Sequence, residues 1–194
     1  MGATPSCLSA VQHLAREYKI AETDRVSCRI IPVSMVPILI GTLLGLQCFH
    51  VLFLAFHDWI PLGTLNDVRA VRAANPGRKL LAATLISVVP FAIGLAASAV
   101  CFSRLYPNWL LWWLWISYAL LFVGELQAWW VPYLFRSDSE RVARYQVMFG
   151  ETHAFLPVRN GIRLNTLHVI LHITTLATLV VLGALTVQQG WLKR

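Results

Sequence analysis

Four long apolar runs constrain the fold of this 194-residue chain more than any other feature. They lie at residues 30–56, 80–102, 109–135 and 164–187. A helix of about 20 apolar residues crosses a hydrocarbon core about 30 Å thick, so each run is long enough to span a membrane. Backbone groups in lipid must be hydrogen-bonded within their own segment, which makes helix the conformation open to these runs. The sequence therefore predicts an all-α membrane protein, a four-helix transmembrane bundle that forms one domain over residues 30–194.

The composition and the charge pattern agree with a membrane protein. Hydrophobic residues make up 57% of the chain and charged residues 13%, against roughly a quarter charged residues in soluble domains. The mean hydropathy is +0.62. The net charge of +7 comes from basic residues between the runs, where lipid headgroups attract them. The sequence contains no nucleic-acid-binding motif, so we expect membrane lipids as partners, no nucleic acid, and a multi-pass protein of the cell membrane.

Residues 1–29 precede the first run and are expected to lie on the membrane surface. Within them, Leu8, Val11, Ala15 and Tyr18 recur at helical spacing. A short helix with one apolar face lies in the plane of the membrane interface. The prediction is therefore an N-terminal amphipathic surface helix ahead of the four-helix domain.

The orientation of the chain is predicted from its basic residues. Four spans place the loops 57–79 and 136–163 on one side of the membrane, with nine Lys and Arg residues between them. The two termini and the short loop at Arg104 share the other side, with seven. Because cytoplasmic loops are enriched in Lys and Arg, this small excess favours a cytoplasmic position for the two longer loops.

Aromatic residues crowd both ends of the third run. Trp109 and Trp130 are separated by about 31 Å at the helical rise of 1.5 Å per residue, close to the thickness of the hydrocarbon core. We interpret the two groups as aromatic belts at the two membrane surfaces. They are Trp109, Trp112, Trp113 and Trp115 at one end, and Trp129, Trp130 and Tyr133 at the other.

A Gly-x-x-x-Gly motif in the first run consists of Gly41 and Gly45. Small residues four apart let two transmembrane helices approach closely. The motif is expected either to pack the first helix within the bundle or to join it to a second copy or to another protein.

Four ionisable residues inside the runs are the candidates for a functional site: His50, Glu125, His168 and His172. A charged Asp, Lys or Arg at the centre of a spanning helix costs about 2.5–3.5 kcal/mol on insertion scales. Counted from the loop side at 1.5 Å per residue, His50 lies about 10 Å deep, His172 about 12 Å and Glu125 about 15 Å. Matched depth predicts that these three side chains face the bundle interior as one cluster, with His168 close by. Its rim would draw on polar loop residues, namely Asp58, Asn66, Asp67, Glu151, His153 and Asn160.

The chemistry of such a cluster has several possible forms. A haem can take one axial histidine from each of two facing helices, for which His50 and His172 have suitable depths. A transition metal is the second possible cofactor, because His168 and His172 lie on one face of a helix. Alternatively, Glu125, His50 and His172 form the catalytic groups of an acid–base enzyme acting on a lipid or other hydrophobic substrate. Proton relays in small transporters use the same residue types.

The remaining alternative is a structural subunit of a membrane complex, in which the polar groups join helices. If one of the residues is functional, Glu125 is the strongest candidate, because a carboxyl group at that depth requires a partner.

Overall fold

The computed structural model describes residues 35–102 and 104–192. The predicted N-terminal surface helix in residues 1–29 lies outside these described residues. In chain order the helices are α1 (Met35–Phe56), α2 (Val68–Ala74), α3 (Gly77–Val100), α4 (Asn108–Leu134), α5 (Ser139–Phe149) and α6 (Thr166–Leu192). Within the described part of the chain, α1, α3, α4 and α6 are long and apolar enough to cross a membrane. The prediction of an all-α protein with four long apolar helices is confirmed.

Neighbouring long helices run antiparallel. After the end of α1, Trp59 donates to Thr84 in α3, while Gln47 near the middle of α1 donates to Ser98 at the far end of α3. Residue numbers therefore fall in α1 as they rise in α3. The same relation holds between α4 and α6, whose hydrogen-bonded pairs are Trp115 with Thr186 and Glu125 with Thr175.

This arrangement places the first loop (57–76) and the second loop (135–165) at one end of the helices. The half of the bundle away from these loops has a mainly aliphatic interior, in which the polar side chains of Gln47, Ser98, Thr178 and Gln189 are also buried. Large aliphatic side chains from α1, α4 and α6 are buried there, and α3 approaches α4 closely at Gly94. A Cβ at Gly94 would lie 3.0 Å from Leu114 Cδ2, tighter than ordinary van der Waals contact. The buried aliphatic residues are Ile40, Leu43, Leu110, Leu114, Leu182 and Leu185.

Gly41 and Gly45 do not pack α1 against the rest of the described chain. Both are exposed, and a Cβ built at either position meets nothing within 4 Å. Oligomerisation through this face of α1 stays a prediction.

The aromatic residues at the two ends of α4 have different environments. Trp109 and Trp112 are exposed on the outer surface, as aromatic belt residues would be. Trp129 and Tyr133, by contrast, are only 7% and 6% exposed. The ring of Trp129 lies 4.9 Å from that of Phe149 in α5. The aromatic-belt interpretation is wrong for Trp129 and Tyr133, because the second loop folds back over this end of α4.

Helix α5 is held in place by polar contacts at its start and along its length. The Asp138 carboxylate accepts from the backbone N–H of Arg141 at 2.7 Å, which caps the helix and holds the pKa of Asp138 below its usual value. The Tyr145 hydroxyl donates to the carbonyl of Ala128 in α4 at 2.8 Å. Burial against α4 raises the pKa of Tyr145. These contacts fix the position of α5 over the loop end of α4.

The fully buried side chain of Asn165 joins both loops to the start of α6. Its Oδ1 accepts from the backbone N–H groups of Leu167 at 2.7 Å and His168 at 3.2 Å, which makes Asn165 the N-cap of α6. Its Nδ2 donates to the Leu65 carbonyl in the first loop at 2.8 Å and to Thr152 Oγ1 in the second at 3.0 Å.

We predict that Asn165→Ala lowers the free energy of unfolding by about 2–3 kcal/mol, because it removes a helix cap and leaves a buried carbonyl without its donor. Asn165→Ser restores the cap alone and should recover roughly 1 kcal/mol. Thermal unfolding in detergent measures both, with exposed Gln146→Ala in α5 as the control. Equal stability of the alanine variant and the wild type would contradict a joining role for this side chain.

Candidate functional site

His50, Glu125 and His172 are buried, with 0%, 5% and 4% of each residue exposed. They come from α1, α4 and α6 respectively. The prediction that these three side chains face the interior is confirmed. His168 lies one helical turn from His172 and is half-buried, with its ring 4.3 Å from that of Trp129.

The hydroxyl of Thr175 connects two of these residues. Thr175 Oγ1 lies 2.8 Å from Glu125 Oε1 and 3.1 Å from His50 Nε2, and 3.0 Å from the carbonyl oxygen of Leu171 one turn earlier in α6. The other ring nitrogen of His50, Nδ1, lies 2.7 Å from the carbonyl oxygen of Leu46. Three helices are therefore linked through a Glu–Thr–His chain of hydrogen bonds. Thr175 lies three residues after His172 on the same face of α6, and nothing in the sequence marks it as the central residue.

The partners of His50 determine where its protons can be. A carbonyl only accepts, so Nδ1 carries a proton, and in a neutral ring Nε2 is then an acceptor. If the single hydroxyl proton of Thr175 is donated to Nε2, Glu125 must be a carboxylic acid that donates to Thr175. If Glu125 is ionised, Thr175 donates to it and His50 must be an imidazolium.

These two arrangements keep both hydrogen bonds and give the pair no net charge. They differ by the movement of one proton between Glu125 and His50 through the hydroxyl of Thr175. The protonation states of the two groups are therefore linked.

A π-helical segment, Leu126–Trp130, follows Glu125 directly. Val131 N–H bonds to the carbonyl of Leu126, five residues back. The next residue, Pro132, has no N–H, so it donates to neither Gln127 nor Ala128, five and four residues before it. Side chains of α5 bond to these carbonyls instead: Arg141 donates to Gln127 at 3.4 Å and Tyr145 to Ala128 at 2.8 Å. Single π turns inside α-helices are frequent at functional sites.

His172 has one bonded and one unbonded ring nitrogen. The indole N–H of Trp130 donates to His172 Nδ1 at 3.0 Å, so Nδ1 carries no proton. In the neutral ring the proton is therefore on Nε2. Both His172 Nε2 and Glu125 Oε2 are buried and have no hydrogen-bond partner among the described residues.

Further polar groups extend the cluster in both directions. In the direction away from the loops, the ring of Tyr118 meets that of His50 edge-on at 5.1 Å. The buried hydroxyl of Tyr118 has no partner within the described residues. Towards the loops, the His57 ring lies 5.8 Å from that of His168, and His57 Nε2 lies 3.2 Å from Asp58 Oδ1. Polar and imidazole groups thus extend from the first loop to the middle of the bundle.

The loop residues expected on the rim mostly stabilise the loops themselves. Asp67 caps α2 by accepting from Ala70 N–H, and the Asn66 side chain bonds backbone groups of its own turn. Asn160 adopts a left-handed conformation with φ of 51° and donates to the carbonyl of Tyr133.

The geometry gives little support to the haem and metal predictions. Both ring nitrogens of His50 are hydrogen-bonded, so neither is free to bond to a haem iron opposite His172. His168 Nδ1 lies 3.4 Å from Asn165 Oδ1, directed towards the cap of its own helix. Residues 35–102 and 104–192 contain no group of three or more His, Cys, Asp or Glu side chains arranged to hold a metal ion. Metal binding at His168 and His172, and haem binding at His50 and His172, stay predictions.

No family model, curated protein or solved structure matches this chain. Function is inferred from what the buried side chains can do. The Glu125–Thr175–His50 chain can exchange a proton internally, and Glu125 Oε2 and His172 Nε2 can each form a further hydrogen bond.

We predict that Glu125→Leu leaves the free energy of unfolding unchanged or raises it by about 1 kcal/mol. The variant removes an unpartnered buried oxygen, and the hydroxyl of Thr175 remains free to donate to His50. Thr175→Val should instead lower it by about 2 kcal/mol, because both neighbours then lose a buried hydrogen bond. Thermal unfolding in detergent compares the two. A Glu125→Leu loss larger than that of Thr175→Val would assign the carboxyl a structural role.

Proposed function

We propose that this protein is a multi-pass membrane enzyme that performs acid–base chemistry on a lipid or another hydrophobic substrate. Glu125 is the catalytic group that accepts and donates the proton. While Glu125 is a carboxylate, His50 holds the proton of the pair on the far side of Thr175, and His172 faces the same site as a hydrogen-bond donor. The observation that carries the proposal is the single Thr175 hydroxyl shared by Glu125 and His50.

The shared hydroxyl gives Glu125 two chemical states without exchange of a proton with water. In one arrangement it is a carboxylate and can take a proton from a substrate. In the other it is a carboxylic acid whose proton lies on Oε1, facing Thr175. The net charge of the pair is the same in both, so no isolated charge has to form in hydrocarbon, where it would be expensive. General acid–base catalysis requires a group that is available in both forms.

Two observations favour this function over a structural subunit. Hydroxyl and amide side chains join transmembrane helices without any titratable group, and such contacts are worth about 0.6–2 kcal/mol. A purely structural network would also leave few buried polar atoms without partners. Seven buried side-chain atoms of the described residues have no partner, and three of them lie in this one cluster, on Tyr118, Glu125 and His172.

The mainly aliphatic interior in the half of the bundle away from the loops favours an enzyme over a transporter. Leu43, Leu114 and Leu182 are buried on the side of the cluster away from the loops. The imidazole groups of the cluster continue towards the loops, through His168 and His57, whereas Tyr118 extends it by one ring in the other direction. A site that is approached from one side suits a reaction better than passage across the membrane.

We predict that Glu125 and His50 titrate as a coupled pair. The carboxyl stretching band of Glu125, assigned by its loss in Glu125→Gln, reports one group, and the ¹⁵N resonances of labelled His50 report the other. Both should change over the same pH interval in the wild type and in Thr175→Ser, which keeps the hydroxyl. In Thr175→Val the two should change over separate intervals. Independent titration in the wild type would exclude the relay.

We also predict that the purified protein converts at least one lipid of a total membrane extract, or introduces deuterium into it in heavy water. Mass spectrometry of the extract before and after incubation measures this. Glu125→Gln should reduce the conversion about a hundredfold or more, the usual contribution of general acid–base catalysis. The control is Glu140→Gln, an exposed glutamate of α5. Equal conversion by Glu125→Gln and the wild type would contradict the catalytic assignment, as would an extract left unchanged by the wild type.

A further inference from the structure

Two unpartnered atoms in the buried cluster are complementary hydrogen-bonding groups. The indole N–H of Trp130 donates to Nδ1 of His172, so the neutral ring carries its proton on Nε2 and presents it as a donor. Glu125 uses Oε1 towards Thr175, and the exchanged proton lies on that side in either arrangement of the relay. Glu125 Oε2 is therefore an acceptor in both. The site offers one donor and one acceptor, and neither has a partner in the described part of the chain.

The contact of Glu125 with α6 brings Glu125 and His172 near each other. Glu125 is bonded to Thr175, and Thr175 follows His172 by three residues on the same face of α6. Three residues correspond to about 4.5 Å along a helix axis. One oxygen atom that makes two hydrogen bonds of about 2.8 Å can bridge groups at such a separation.

The charge of the surroundings restricts what the ligand can carry. The described helices α1, α4 and α6 contain neither lysine nor arginine, so an anionic headgroup would have no counter-ion and would face the Glu125 carboxyl. A cationic headgroup would face the N–H of His172. A hydroxyl group is neutral and has one proton to donate and lone pairs to accept.

We propose that the site binds a lipid alcohol, a hydrocarbon body with a neutral hydroxyl group, whose oxygen accepts from His172 Nε2–H and whose proton is donated to Glu125 Oε2. This inference rests on the proposed acid–base function and names its substrate class. Glu125 is then placed to take the hydroxyl proton on Oε2 when it is a carboxylate, and to return that same proton from Oε2. A bound water molecule is the competing occupant, because it has the same hydrogen-bonding capacity.

Photolabelling tests the substrate class directly. The probe is a long-chain primary alcohol with a diazirine in its chain, compared with its methyl ether, which accepts a hydrogen bond but donates none. On the purified wild-type protein, the alcohol should label residues of α4 and α6 around positions 125 and 172, and excess unlabelled alcohol should compete. The ether should label these positions about tenfold less, the usual effect of one lost hydrogen bond.

Two variants distinguish labelling within the site from labelling of the lipid-facing surface. His172→Phe keeps an aromatic ring and removes the donor, so it should reduce labelling by the alcohol about tenfold. Gln146→Phe, at an exposed position of α5, should leave labelling unchanged. Equal labelling by alcohol and ether on the wild type, or labelling confined to outward-facing positions, would overturn the proposal and assign the two polar atoms to water.

The outcomes for substrate class and for function are distinguishable. If Glu125→Gln abolishes lipid conversion and the alcohol shows no preference over the ether, the acid–base function stands and the lipid alcohol is rejected. If the alcohol is preferred but Glu125 and His50 titrate independently, the binding site stands and the relay is rejected.

Discussion

Hydrocarbon offers no hydrogen bonds, so each polar group within these four helices has to find its partner inside the protein. This constraint explains most of the contacts between the helices. The hydroxyl of Thr175 lies between a carboxyl and an imidazole, and the indole of Trp130 bonds to the imidazole of His172. Gln47 on α1 bonds to Ser98 on α3. The polar residues therefore hold the helices in register, whereas apolar side chains, which lipid tails solvate equally well, contribute mainly through close packing.

The loop that carries α5 supplies partners for backbone groups of α4 under the same constraint. Pro132 interrupts the hydrogen-bonding of α4 just after Glu125, and a π turn accommodates the interruption. The carbonyls that lose their donors would be unsatisfied if that end of the helix faced lipid. Tyr145 and Arg141 bond to them, so the position of α5 is tied to the irregularity of α4. The geometry around Glu125 thus depends on a segment outside the four long helices.

The sequence predicted what depends on local pattern. Run length gives the four helices, and counting residues from the loops gives the common depth of His50 and Glu125, whose burial follows from their polarity. Thr175 could not be singled out, because threonines in such helices usually bond to their own backbone, as Thr178 does with the carbonyl of Thr174 and as Thr175 itself does with that of Leu171. Trp129 was misinterpreted because periodicity in α4 carries no information about a loop that folds over it. Such pairings between distant segments depend on tertiary contacts.

Stability alone does not account for the composition of the cluster. Replacing buried charged or polar networks by well-packed apolar residues is often neutral or stabilising, by up to about 4 kcal/mol. A leucine at position 125 would serve the bundle at least as well as a carboxyl whose second oxygen is unpartnered. Each unsatisfied buried polar group costs about 1–3 kcal/mol, and two of the unpartnered atoms of the cluster lie on Glu125 and His172. An occupant that bonds to both relieves that cost on binding. The free energy that these unpartnered atoms cost in stability is then recovered as affinity, which is the physical reason to regard the cluster as a binding site.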